Sequence, residues 1–243
     1  MLKVAQAMLL RVLLVAGILA LTSSMAVSQG STFTTIDVAG AGTGAQQGTA
    51  ITAIDTAGDV AGIYLDTNNV VHGFVLPAGG TATTFDAEST AGLGAGQGTF
   101  PSGINSSGTI VGTFIDSNSA SHGFVRSATS PYAITIFNAP GAPTTTGQRG
   151  TAAMGINDSG VIVGFYSTGT SSTNSVYYGF QRQATSPYTI TNIIAPNAGP
   201  GDGPGFKQGT QAFGINASSQ IVGSYTDSNF YHHGFLLSGT TYT

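Results

Sequence analysis

An all-β fold, a four-bladed β-propeller built from four repeats of about fifty residues, is what this sequence predicts. Three observations predict it. One pattern is written four times, opening with Gly-Thr at Gly48, Gly98, Gly150 and Gly209, at steps of 50, 52 and 59 residues. Each copy breaks into short stretches rich in β-branched and aromatic residues between Asn, Asp, Ser and Gly turns, which is strand-and-turn composition. No segment after Ser31 carries a sustained apolar stripe at helical spacing, so almost no helix is expected.

The second repeat shows the elements in order. Residues 100–105 form a short strand, A, and Asn105-Ser106-Ser107-Gly108 a tight turn. Asn suits the first turn position because its side chain can bond the backbone two residues on, and Gly tolerates positive φ at the fourth. Strand B is expected at 109–115, a turn at Asp116-Ser117-Asn118-Ser119, strand C at 121–127 and strand D at 133–138, stopped by Pro140-Gly141. The third and fourth copies repeat its Gly-Ile-Asn and Ile-Val-Gly blocks and the first and fourth its His-Gly-Phe; the first departs with Ala53-Ile54-Asp55, the third with Tyr178 for the histidine and the fourth with Ser219 for the turn glycine. The ends complement each other. Residues 31–37 read as a strand D without its A, B and C, and the chain closes on a repeat whose strand D barely begins at 239–243. Pairing 33–38 with the last strand C would close the ring and remove its free edges. An open ring, one closed by a second molecule, and a β-solenoid are the alternatives.

Residues 1–28 read as a signal peptide: Lys3 and Arg11 precede an apolar run, and Ala26-Val27-Ser28 offers small residues for cleavage before Gln29. Residues 29–243 are then one exported domain. Its removal takes two of six basic residues and none of ten acidic ones, so four against ten leaves −6. That charge and the scattered cations Arg126, Arg149, Arg182 and Lys207 argue against nucleic acid and anionic membrane surfaces as partners. The run before the cleavage site is too short for a bilayer span, so no stable membrane insertion is expected. Without cysteine, the exported chain must hold itself by core burial.

Read together, Gly103-Ile104-Asn105, Ile110-Val111-Gly112, His122-Gly123-Phe124 and Ile36-Asp37-Val38-Ala39-Gly40-Ala41 resemble the bacterial extracellular HAF-repeat family across nearly all of the exported chain. The resemblance implies a secreted or periplasmic bacterial protein with propeller-like blades. It implies no reaction and no catalytic residues.

The polar residues that recur are expected to be structural. Histidines 72, 122 and 233 lie on strand C, so those on opposite blades would stand roughly 20 Å apart, given strands about 4.8 Å apart, far from shared metal ligation. Each is expected to bond a neighbouring turn or strand, with Tyr178 supplying a comparable bond. Asp66-Thr67-Asn68, Asp116-Ser117-Asn118 and Asp227-Ser228-Asn229 resemble the start of a calcium loop but lack its downstream Glu, so they are read as turns. The Asn-x-Ser sites at Asn105, Asn157 and Asn216 occupy one turn position each and are read likewise. No metal and no cofactor are expected.

A single site must come from residues that break the repeat: Asp59, Glu88, Asp158, Asp202, Lys207 and His232. The longest irregular stretches are 168–175 and 197–207, and loops on a rigid scaffold are where binding concentrates. The expected function is a non-catalytic binding or scaffold module for an extracellular glycan or protein, through Asp202, Phe206 and Lys207 or the mouth of a channel lined by strand A. The other class is a polysaccharide hydrolase or lyase pairing Glu88 with an Asp.

Overall fold

The computed structural model describes residues 33–89, 93–145, 150–168, 176–200 and 208–243. Among these every regular element is a strand, and none is a helix. The first repeat supplies β1 (Gly48–Ile54), β2 (Val60–Leu65), β3 (Val71–Leu76) and β4 (Thr83–Phe85). The second supplies β5 (Gly98–Ile104), β6 (Ile110–Ile115), β7 (Ser121–Arg126) and β8 (Ile134–Phe137). The third gives β9 (Thr151–Ile156), β10 (Ile162–Thr168), β11 (Val176–Arg182) and β12 (Ile190–Ile193). The fourth gives β13 (Gly209–Ile215), β14 (Ile221–Thr226), β15 (His232–Ser238) and β16 (Thr241–Tyr242). Each repeat is an antiparallel meander in chain order. Two meanders join into one eight-stranded sheet through a single parallel bridge, Val71 to Gly98, and the other two through Tyr177 to Gly209.

The repeated Gly-Thr opening is explained by that junction. Gly48, Gly98 and Gly209 have φ of 117°, 120° and 108°, where a side chain is strained. A Cβ on Gly98, Gly150 or Gly209 would also stand 1.9–2.1 Å from the carbonyl oxygen of Val71, Ser121 or Tyr177. The threonine then accepts a hydrogen bond from the backbone of the linker before it: Val38 N to Thr49 Oγ1 at 3.0 Å, Ala87 N to Thr99 at 2.9 Å, Ala139 N to Thr151 at 2.8 Å and Ala195 N to Thr210 at 2.9 Å. Every repeat is thereby stapled to the segment preceding it. In all four, the pairing of the first two strands shifts register by one residue near the end of the first strand, a bulge that adds local twist.

Within a repeat, the Phe of the third strand lies over the Gly of the second. Phe74, Phe124, Phe180 and Phe235 are buried, with ring atoms 2.6–2.9 Å from where a Cβ on Gly62, Gly112, Gly164 or Gly223 would sit. Between repeats, the first strand of each lies across the first three strands of its predecessor. The cores therefore straddle the junctions: Ala61 with Ile104, Ile110 and Phe114; Val111 with Ala153, Ile156 and Phe180; Val163 with Ala212, Ile221 and Phe235. Ile54, Ile104, Ile156 and Ile215, at the ends of the four first strands, converge on one cavity of about 340 Å³.

Closure of the ring by the N-terminal strand is not what the fold does. The place beside β15 where that strand would lie is taken by the chain's own β16, through Leu237–Tyr242 and Ser238–Thr241 pairs. Residues 33–38 form no strand, and Val38 packs instead on Val60, Tyr64 and Phe74 of the first repeat. Nor does the fourth repeat pack on the first as the others pack on their neighbours. Val222 is 49 % exposed where its counterparts Val111 and Val163 are 0 %, and Ile54 is 67 % exposed where Ile104 is 7 %. The Asn side chains of the first turns link the remaining repeats in a relay: Asn105 Nδ2 donates to the Asn157 carbonyl at 3.1 Å, and Asn157 Nδ2 to that of Asn216 at 3.4 Å. Asn216 Nδ2 turns back to Gln220 Oε1 at 2.8 Å. At the first repeat the Asp55 side chain has no N–H to hand on. The expectation failed because strand alternation reports which residues face a neighbouring sheet, and says nothing about whether a neighbour arrives.

Candidate functional site

The recurring polar residues are explained by turns. Asp66 Oδ1 accepts from the N–H groups of Asn68 and Val70 at 2.8 and 2.9 Å, Asp116 from Asn118 and Ala120 at 2.9 and 2.8 Å, and Asp227 from Asn229 and Tyr231, both at 2.9 Å. Their second oxygens face histidine: His72 Nε2 lies 3.8 Å from Asp66, His122 Nε2 3.5 Å from Asp116 and His233 Nε2 3.3 Å from Asp227. His72 and His122 also bond the fourth strand's end, at Asp86 and Asn138, both at 2.9 Å. Each ring stacks on the aromatic of the second strand, with centroids 4.7 Å apart for Tyr64–His72, 6.3 Å for Phe114–His122 and 4.8 Å for Tyr225–His233. Tyr178 keeps that stack on Tyr166 at 5.4 Å, while the bond to the fourth strand is made by Tyr166, to Asn192 at 3.1 Å. Among the described residues no cluster of His, Asp and Glu could hold a metal ion.

These turns set an acid response. Burial pushes the Asp66 carboxyl up, but the N–H groups of Val70 and Asn68, the Asn68 side chain and His72 outweigh it and hold Asp66 below its ordinary value. Asp227 is lowered in the same way, against burial, by Tyr231, His233 and Asn229. A carboxyl lowered on folding stabilises the fold above its unfolded value, here 3.8, and ceases to do so as pH falls through the folded value. Asp86 acts in the opposite sense, raised by burial against the pull of His72, so its contribution is lost as pH rises. Thermal melts from pH 5 down to 2 should fall steeply, and the double variant Asp66→Asn, Asp227→Asn should flatten that slope while keeping the turns. An unchanged slope would refute the assignment.

The candidate binding residues Asp202, Phe206 and Lys207 lie outside the described residues, as do 169–175 and 201–207 of the two long loops. Asp59 accepts from Ala78 N at 2.8 Å, Asp158 accepts from Ser106 N at 2.9 Å, and His232 Nδ1 lies 3.0 Å from Thr226 Oγ1. Glu88 is exposed. The structure thus gives Asp59 and His232 partners within their own repeats, and Asp158 a partner across the junction of the second and third.

What the repeats do build is a pair of equivalent clefts. Arg126 ends β7 and Arg182 ends β11, at one repeat position. Each side chain reaches back to the preceding repeat. The Arg126 guanidinium lies between the Phe85 ring at 4.8 Å and the Tyr132 ring at 4.6 Å; Arg182 lies between Phe137 at 4.7 Å and Tyr188 at 4.5 Å. The two residues are 5 % and 6 % exposed, and the tyrosines are half exposed. Burial draws both guanidinium values down, with Tyr132 and Tyr188 working the other way; an arginine keeps its charge regardless.

The tyrosines come from turns that hold them in place. Tyr132 and Tyr188 have φ of 56° and 54°, a left-handed conformation uncommon for an aromatic residue. Their N–H groups bond the carbonyls of Thr129 and Thr185 at 2.7 Å. Each turn sets its ring over the guanidinium at the mouth of a cavity. One cavity, of about 280 Å³, is lined by Arg126, Tyr132, Thr83, Ser107 and Asp59; the other, of about 270 Å³, by Arg182, Tyr188, Thr109 and Thr135. The sequence carried a signal for them: Ala128-Thr129-Ser130-Pro131-Tyr132 recurs as Ala184-Thr185-Ser186-Pro187-Tyr188, two residues after each arginine. Reading the cations as scattered passed over that repetition. No family model matches this chain, and no curated protein matches it either.

Proposed function

We propose that the chain is an exported, non-catalytic binding module of the HAF-repeat kind, whose four meanders are propeller-type blades about a shared axis and whose ligand is an extracellular glycan. One observation carries the reading: two equivalent clefts, at successive junctions between repeats, each set an exposed aromatic ring and several hydroxyl groups around a buried cation. Aromatic faces and convergent hydrogen-bonding groups are what a sugar ring requires of a protein surface. The four end-of-strand isoleucines around one cavity support the blade reading, and the signal-peptide pattern in residues 1–28 supports a bacterial, exported module. A protein partner is the outcome to set against a glycan. On an immobilised panel of extracellular polysaccharides the exported chain should bind at least one. The double variant Tyr132→Ala, Tyr188→Ala should lose about tenfold or more in affinity, since a stacking aromatic contributes on the order of 1 kcal/mol or more at each site. Unchanged binding by that variant would reject the clefts.

A further inference from the structure

The two arginines are unusual in what they lack. A charge this deeply buried is normally paired with an opposite charge or fully hydrogen-bonded. Yet among the described residues the side chain of neither Arg126 nor Arg182 makes an ion pair or a hydrogen bond. Each guanidinium carbon lies over two rings, at 4.5–4.8 Å from their centres. No buried side-chain nitrogen in the described chain is sealed from solvent without a partner. Each arginine lines its cleft, and its side-chain donors, which keep some solvent contact, meet no protein acceptor.

We propose that these clefts recognise an anionic sugar through its carboxylate, and that the Arg182 cleft is the stronger of the two. A carboxylate matches the guanidinium fork with two parallel, charge-assisted hydrogen bonds. The surrounding groups fit a saccharide: Thr109 and Thr135 can exchange hydrogen bonds with ring hydroxyls, and the Tyr188 ring forms one wall. A space near 270 Å³ is at the small end for ligand pockets, which suits one charged sugar residue of a chain. The two clefts differ in local charge. Asp59 lines the Arg126 cleft, whereas the residues lining the Arg182 cleft include no acid. An incoming carboxylate is repelled by Asp59 at the first and meets only the cation at the second.

This inference rests on the glycan reading and is separable from it. Calorimetric titration of the exported chain with a galacturonic acid trimer, a galactose trimer and a sulfated galactose trimer should show the uronate binding on the order of tenfold or more tighter than the neutral sugar. Raising salt should narrow that gap. Arg182→Gln should cut the advantage of the uronate to what the weaker Arg126 cleft supplies. Because that substitution also removes a contact between repeats, Asp59→Asn gives an independent reading: its amide can still accept from Ala78, and it should strengthen uronate binding at the Arg126 cleft by several fold. Equal binding of neutral and acidic trimers would overturn the inference while leaving a glycan-binding module standing. Tighter binding of the sulfated sugar would overturn the choice of carboxylate. Failure of all three trimers to bind would overturn the inference and, together with a blank polysaccharide panel, the module reading as well.

Discussion

Replacing Val163 by Asp should cost at least about 3 kcal/mol, because an unpaired carboxylate would replace a side chain that is fully buried. Val163 points from the third repeat into the core it shares with Ala212, Ile221 and Phe235. Against a total stability of about 5–15 kcal/mol for a domain, that loss leaves much of the chain unfolded at physiological temperature. The same change at Val222, the matching position of the fourth repeat, should shift stability by no more than about 0.5 kcal/mol, since that face meets solvent. Denaturant unfolding of the two variants side by side measures the difference. Equal, large losses at both positions would mean that the fourth repeat is covered by the first in solution, and the open flank described above would be wrong.

A second large effect is expected from one added methyl group. In Gly112→Ala the new Cβ would stand 2.1 Å from the Phe100 carbonyl oxygen and 2.6 Å from the Phe124 ring. The ring can tilt, but the carbonyl belongs to the β5–β6 ladder and cannot withdraw without breaking it. Overpacking of this kind costs about 1–3 kcal/mol and occasionally more, and here the contact is with backbone, so the upper end or beyond is expected. Gly234→Ala is the control. Its counterparts Gly73, Gly123 and Gly179 are covered by Phe85, Phe137 and Ile193, while a Cβ at Gly234 would meet nothing nearer than 4.0 Å. It should melt within a degree or two of the parent. Melting curves that rank the two glycines the other way would contradict the packing of β14 and β15.

The strands themselves were legible because period-two alternation and turn chemistry are local. The strands expected at 100–105, 109–115, 121–127 and 133–138 lie within two residues of β5 to β8 at every boundary. The roles of His72 and His122 were legible as well, since a residue repeated in three of four copies is explained most simply by something the repeat itself needs. Two things were not. Whether the fourth repeat meets the first depends on the accumulated twist of sixteen strands, and no single residue encodes that sum. The clefts were missed for another reason. Arg126 and Arg182 are matched only in the middle repeats, with Leu76 and Leu237 at the same position in the first and last, so a search for fourfold features or for singular ones finds neither. A twofold feature in a fourfold chain belongs to junctions rather than to repeats.

The threonine staple carries a consequence for how such a chain can change in length. Each repeat is fastened to what comes before it by one backbone bond to a threonine and by a first strand lying across its neighbour, so cohesion here is a matter of adjacent pairs. A duplicated segment spliced in at the linker between β8 and β9 would present matched surfaces fore and aft and would need no redesigned interior. Gain or loss of a whole module should therefore be tolerated where the loss of one methyl-sized gap is not, and segment duplication alone would change the number of arginine clefts between repeats.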